Sequence, residues 1–128
     1  IEVKKLFNSD IKDFITKAEI IQNAKVINNN ICLAYTKTET DNINIVIAQA
    51  ADELLNIKEV EASFVLARKD DRVFISARSL GNINVHVLME NLGGGGHRDM
   101  AGAQLDTSLE KAYEMVKDTI QTCIKEEE

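Results

Sequence analysis

The chain has 128 residues, 45% apolar and 28% charged, the proportions of a globular domain rather than a disordered or fibrous chain. Its net charge of -6, from 15 basic and 21 acidic residues, argues against gripping long nucleic acid along a basic face. With 5% aromatics and no Trp a base-stacking platform is disfavoured, and Cys32 and Cys123, without a CxxC pair, make neither a disulfide framework nor a zinc site.

No apolar run approaches the roughly 18 residues that span a bilayer, and residues 1–10 lack the pattern of a signal peptide. A cytoplasmic setting without direct membrane contact is expected. Because the chain opens on Ile1 rather than Met, it is expected to be a piece of a longer protein. Without proline, repeat or linker, residues 1–128 read as one compact domain.

Ser9 can cap a helix over Asp10–Gln22, where Ile11, Phe14, Ile15, Ala18 and Ile21 or Gln22 recur at helical spacing. Lys25–Ile27 and Ile31–Tyr35 flank three asparagines that tolerate a left-handed backbone, which predicts a hairpin. From Asp41 the positions Ile43, Ile47, Ala50, Ala51 and Leu54 predict a buried helix ending near Asn56. Ala62–Lys69 and Arg72–Ala77, joined by Asp70 and Asp71, predict a second hairpin of central strands. Asn84–Asn91 predicts a short helix stopped by Gly93, Ala101–Leu105 a last strand, and Thr107 with Glu110 a capping box for a helix to Lys125. The expected fold class is α/β: a mixed sheet of about five strands flanked by helices, in two or three layers. The acidic tail Glu126–Glu128 is expected to be a solvated helix end.

The chemistry concentrates in Gly93-Gly94-Gly95-Gly96-His97-Arg98-Asp99-Met100-Ala101-Gly102. Four consecutive glycines are entropically costly to order, so an ordered loop needs a reason such as close approach of an oxyanion to successive N–H groups. His97 can add a donor. No GK[ST] follows, and Arg98 stands where GxGxxG needs its third glycine, so neither a Walker loop nor a Rossmann turn is present. The alternative is a flexible connector ending in a surface histidine.

A second candidate is Ser76-Ala77-Arg78-Ser79, where Arg78 could fork onto a phosphate with a Ser hydroxyl beside it. The alternative, an arginine paired to a surface carboxylate, is favoured by local sequence alone. His86 and His97 are too few for a metal hydrolase, His86 reads as a solvent or edge residue, and both cysteines read as structural. No catalytic or metal-binding residue is therefore expected.

The run Gly93 to His97 followed by Ala101-Gly102, downstream of Arg78-Ser79, resembles the DHH-associated C-terminal domain (type one) of DHH-family phosphoesterases, whose signature is GGGHxxAAG. Met100 stands where that signature has alanine. Ile47–Asp52, Ala62–Val65, Ile75–Gly81 and Ile83–Val85 are similar to GdpP-type cyclic-di-AMP phosphodiesterases of Gram-positive bacteria.

The resemblance implies a substrate-binding domain whose partner, an N-terminal DHH domain of the same polypeptide, holds the manganese and activates water. That domain would be absent here, the isolated chain inactive, and the parent protein membrane-anchored. The implied substrate is cyclic-di-AMP, hydrolysed to pApA. Gly94, Gly95, Gly96 and His97 would contact phosphate, and Arg78 with Ser76 or Ser79 would form a second anionic grip. A homodimer is compatible with this reading. The alternatives are a nanoRNase or pAp-phosphatase enzyme acting on short oligonucleotides, a nucleic-acid-binding module like that appended to alanyl-tRNA synthetases, and an inert folding unit.

Overall fold

The computed structural model describes residues 2–127, with side chains described for residues 11–124. Ten elements follow one another: α1 (Glu2–Gln22), β1 (Lys25–Ile27), β2 (Ile31–Thr36), α2 (Ile43–Leu54), β3 (Ala62–Lys69), β4 (Arg72–Ser79), α3 (Val85–Glu90), β5 (Gly95–His97), β6 (Met100–Leu105) and α4 (Leu109–Glu127). The strands form one mixed sheet in the order β1-β2-β3-β4-β6-β5, parallel only between β2 and β3, which α2 connects. Helices cover both faces, so the fold is three-layered.

Burial follows the layers. β3 lies in the middle, and residues 62–67 are buried without alternation because both faces are roofed. Phe64, Leu66, Val73 and Ile75 pack against Leu88 and Met89 of α3 and Val116 and Ile120 of α4. On the other face Cys32, Val65 and Ala67 pack against Ile20 of α1 and Val46, Ile47 and Leu54 of α2. Ser63, buried within β3, donates its hydroxyl to Ala51 O at 2.6 Å and so ties α2 to the sheet.

The hairpin turns fall where the sequence places them. Asn28 and Asn29 take φ of 52° and 70°, and Asp70 and Asp71 take 54° and 64°. Asp70 and Asp71 form a two-residue loop between paired Lys69 and Arg72, whose positive φ values match the right-handed twist of the flanking strands, while Asn28–Asn30 is a three-residue loop between paired Ile27 and Ile31.

Several boundaries differ from the sequence reading. The first helix begins at Glu2, not Asp10, because the preceding residues contain no Gly or Pro to stop it; Ser9 lies inside it, and its side chain lies outside those described. The last helix is capped by Ser108, not Thr107: Ser108 Oγ accepts from Lys111 N at 3.1 Å. The second helix stops at Leu54, two residues before Asn56. A sixth strand, β5, lies inside the glycine run, where glycine pairs with β6 in spite of its poor strand propensity. The short helix α3 is capped by Asn84 Oδ1, which accepts from His86 N and Val87 N.

Burial also accounts for the cysteines. Both are buried, and desolvation pushes the Cys32 thiol up from its ordinary value. Cys32 is therefore expected to resist iodoacetamide at pH 8 in the folded protein and to react on unfolding, read by mass spectrometry. Phe64, fully buried at the sheet centre, should cost about 3–5 kcal/mol when replaced by alanine, measured by urea unfolding. Asp71→Gly should instead stabilise by about 0.5–1 kcal/mol, since its left-handed backbone suits glycine and its side chain is 97% exposed.

Candidate phosphate-binding face

Strand pairing decides which side chains share a face. Ser63 pairs with Arg78, Arg78 with Met100, and Met100 with His97, so Arg78, Met100 and His97 form one row across β4, β6 and β5. The neighbouring row on that face is Ser76, Gly102 and Gly95, and the next is Phe74 and Gln104. α2 packs over β3 and β4 on this side. Beyond it, Met100 is 50% exposed and His97 is exposed. Arg78 and His97 thus look out from one face, two strand spacings or roughly 10 Å apart.

The guanidinium is anchored. Arg78 Nε donates to Asp52 Oδ1 of α2 at 2.9 Å, and Nη1 donates to Ala77 O at 2.9 Å. The side chain is only 12% exposed, and among the described residues no hydrogen bond from Nη2 accompanies those of Nε and Nη1. The pairing with a carboxylate that local sequence favours is present, and on the candidate face. Asp52 was missed as a functional residue, although it ends the helical run Ile47–Asp52 that lines up with the family.

The two serines separate by strand parity. Ser76 is half-buried and lies on the face of Arg78. Ser79 lies on the opposite face, buried, with Oγ accepting from Gly81 N at 2.9 Å and its own N–H donating to Asp99 O at 2.9 Å. It serves the turn rather than the open face.

The glycines divide in the same way. Gly93 takes φ +84° and ends α3 with a left-handed cap, Gly93 N donating to Glu90 O and Gly94 N to Met89 O. The Gly94 amide is therefore engaged within the chain. A Cβ at Gly94 would lie 2.1 Å from Gly102 O, and one at Gly96, where φ is +147°, 2.5 Å from Met100 O. Gly95 has neither a positive φ nor any neighbour within 4 Å of an added Cβ. The fold thus explains glycine at 93, 94 and 96 but not at Gly95, whose missing side chain faces open space.

The turn carrying His97 is strapped down. Arg98 Nε donates to Gly81 O at 2.7 Å, and Val85 N donates to Arg98 O at 3.0 Å. β5 is the sheet edge, so one side of its backbone has no strand partner. Met100, at the alanine position of the signature, is half exposed.

The other histidine lies elsewhere: His86 on α3 pairs with Glu90 one turn on. Among the described residues no group of three or more His, Cys, Asp or Glu side chains could hold a metal ion. Among them, too, no helix is long and apolar enough to cross a membrane.

Comparison with known proteins places the fold in a family. The chain is 42% identical to the cyclic-di-AMP phosphodiesterase GdpP of Bacillus subtilis (strain 168) over 92% of its length, but spans 18% of that protein. It is 37% identical to the cyclic-di-AMP phosphodiesterase PdeA of Listeria monocytogenes, covering 86% of this chain and 17% of that one. The crystal structure of an exopolyphosphatase-related protein from Bacteroides fragilis superposes with a TM-score of 0.75 at 22% identity, over 86% of this chain and 34% of that chain, and shares the fold. The DHHA1 domain model matches residues 28–126, which include strands β2 to β6, the glycine run and the face bearing Arg78 and His97; the chain belongs to the DHHA1 domain family.

Proposed function

We propose that this chain is the substrate-gripping domain of a manganese-dependent phosphodiesterase that hydrolyses cyclic-di-AMP to pApA. The observation that carries the reading is the placement of Arg78 and His97 in one row on an open sheet face, beside Ser76 and the unfilled space at Gly95. Phosphodiester oxygens approaching that face meet the Arg78 Nη2 corner, the His97 imidazole and the backbone of Gly95 and Gly96 at the sheet edge. Asp52 holds the guanidinium in place before ligand arrives, which lowers the entropy cost of binding while reducing the net positive charge.

This division of labour assigns no bond-breaking step to the chain. Water activation and manganese belong, in this reading, to a DHH domain of the same polypeptide, and the chain by itself is inactive. The relatives' names supply the substrate, and the acidic balance favours a small anionic ligand over a long nucleic acid, whose many phosphates would need a broad cationic face.

In the complete protein, Arg78→Ala or His97→Ala should each lower kcat/KM for cyclic-di-AMP by about 1–3 kcal/mol, roughly 5- to 150-fold, with the thermal midpoint nearly unchanged. Unaltered kinetics in both variants would refute the assignment. Gly95→Ala isolates the open space: thermal stability should hold or rise slightly, because the added methyl meets no protein atom, while cyclic-di-AMP binding measured by calorimetry weakens.

A further inference from the structure

We propose that the hollow beside the phosphate-binding row is a nucleobase subsite, formed by Phe74 and Gln104 on the sheet and Asn44 on α2 and suited to the adenine of the bound nucleotide. This rests on the reading of Arg78 and His97 as the phosphate grip. The hollow has a volume of about 550 Å³ and is lined by Asn44, Phe74, Ser76, Gly102 and Gln104 among others, within the roughly 300–1,000 Å³ of small-molecule sites.

The sheet sets its geometry. Phe74 pairs directly with Gln104, so the two share the face that bears Ser76 and Arg78. Between that row and the Arg78 row lies Ser76–Gly102, where the absence of a side chain at Gly102 leaves a floor on which a flat ring can lie. Arg78 lies four residue steps beyond Phe74, about 13 Å along the strand, so the phosphate and the base of one nucleotide occupy the two ends of one trough.

The chemistry of the walls suits a base rather than a second phosphate. Phe74 is half-buried against the α2 cluster and offers aromatic surface to a purine. Gln104 is exposed, and its Oε1 accepts from Arg72 Nη1 at 3.1 Å while Arg72 Nε pairs with Asp106 Oδ1 at 3.0 Å. That relay fixes the Gln104 amide with Nε2 left to donate to a ring nitrogen. The exposed Asn44 amide adds a second donor and acceptor from the helix side. Side-chain amides match the adjacent amino donor and ring-nitrogen acceptor of adenine. The nearest cation, Arg72, is already engaged by Asp106 and Gln104, which disfavours a second anion there.

The test compares AMP with ribose 5-phosphate as inhibitors of cyclic-di-AMP hydrolysis by the complete protein. The wild-type protein should prefer AMP; Gln104→Leu, at an exposed position, and Phe74→Leu, which keeps apolar bulk, should each weaken AMP roughly fivefold and leave ribose 5-phosphate unchanged. Arg78→Ala should weaken both inhibitors alike. If Arg78→Ala weakens both but neither Gln104→Leu nor Phe74→Leu alters the AMP preference, the subsite is overturned and the phosphate grip stands. If Arg78→Ala weakens neither, the grip fails and the subsite falls with it.

Discussion

The register between β4 and β6 is the constraint on which the candidate site depends. Side chains alternate along a strand, so a slip of one residue would turn Met100 and Gly102 to the far face and break the row joining Arg78 to His97. Several contacts hold that register. Gly102 lies so close to β4 that a Cβ there would be 2.8 Å from Ile75 O, and the Ser79–Asp99 and Arg98–Gly81 bonds clamp the turn end of the hairpin to the end of β4. These contacts belong to neither the glycine run nor Arg78, yet they set where both point.

The glycine run does two kinds of work. Its first two residues close α3 through backbone bonds to Glu90 and Met89, and Gly94 and Gly96 let β5 lie closer to β6 than any side chain would permit. Only Gly95 keeps its freedom for the outer face. A run that reads in sequence as one phosphate loop is therefore a helix cap, a tight strand pairing and a single open position; the first two require glycine for different reasons, and the third is not required by the fold.

Charge is handled locally in a protein that is acidic overall. Arg78 is mostly covered and held by Asp52, which favours geometry over field strength: one oriented corner is presented rather than a mobile cation. His97, by contrast, is exposed at the edge strand. In the proposed reading an anion between them would meet one fixed and one adaptable donor, an arrangement suited to a small ligand of defined shape rather than to a polyanion.

The sequence by itself determined the alternation of strands and helices, the asparagine and aspartate turns, the glycine stop of α3 and the candidates Arg78 and His97, because each rests on a local period or a local backbone demand. Local patterns could not show that glycine forms a sixth strand or that Asp52 orients Arg78 from α2, since those depend on pairing with other elements, whereas the choice of Ser108 over Thr107 as the cap of α4 is local and differs by one residue. Ser76 and Ser79, three positions apart in one motif, looked interchangeable; strand parity sends one to the open face and buries the other. Tertiary structure alone decided that Arg78 and His97 share a face, because residues distant in sequence acquire a common side only when the strands between them are hydrogen-bonded in register.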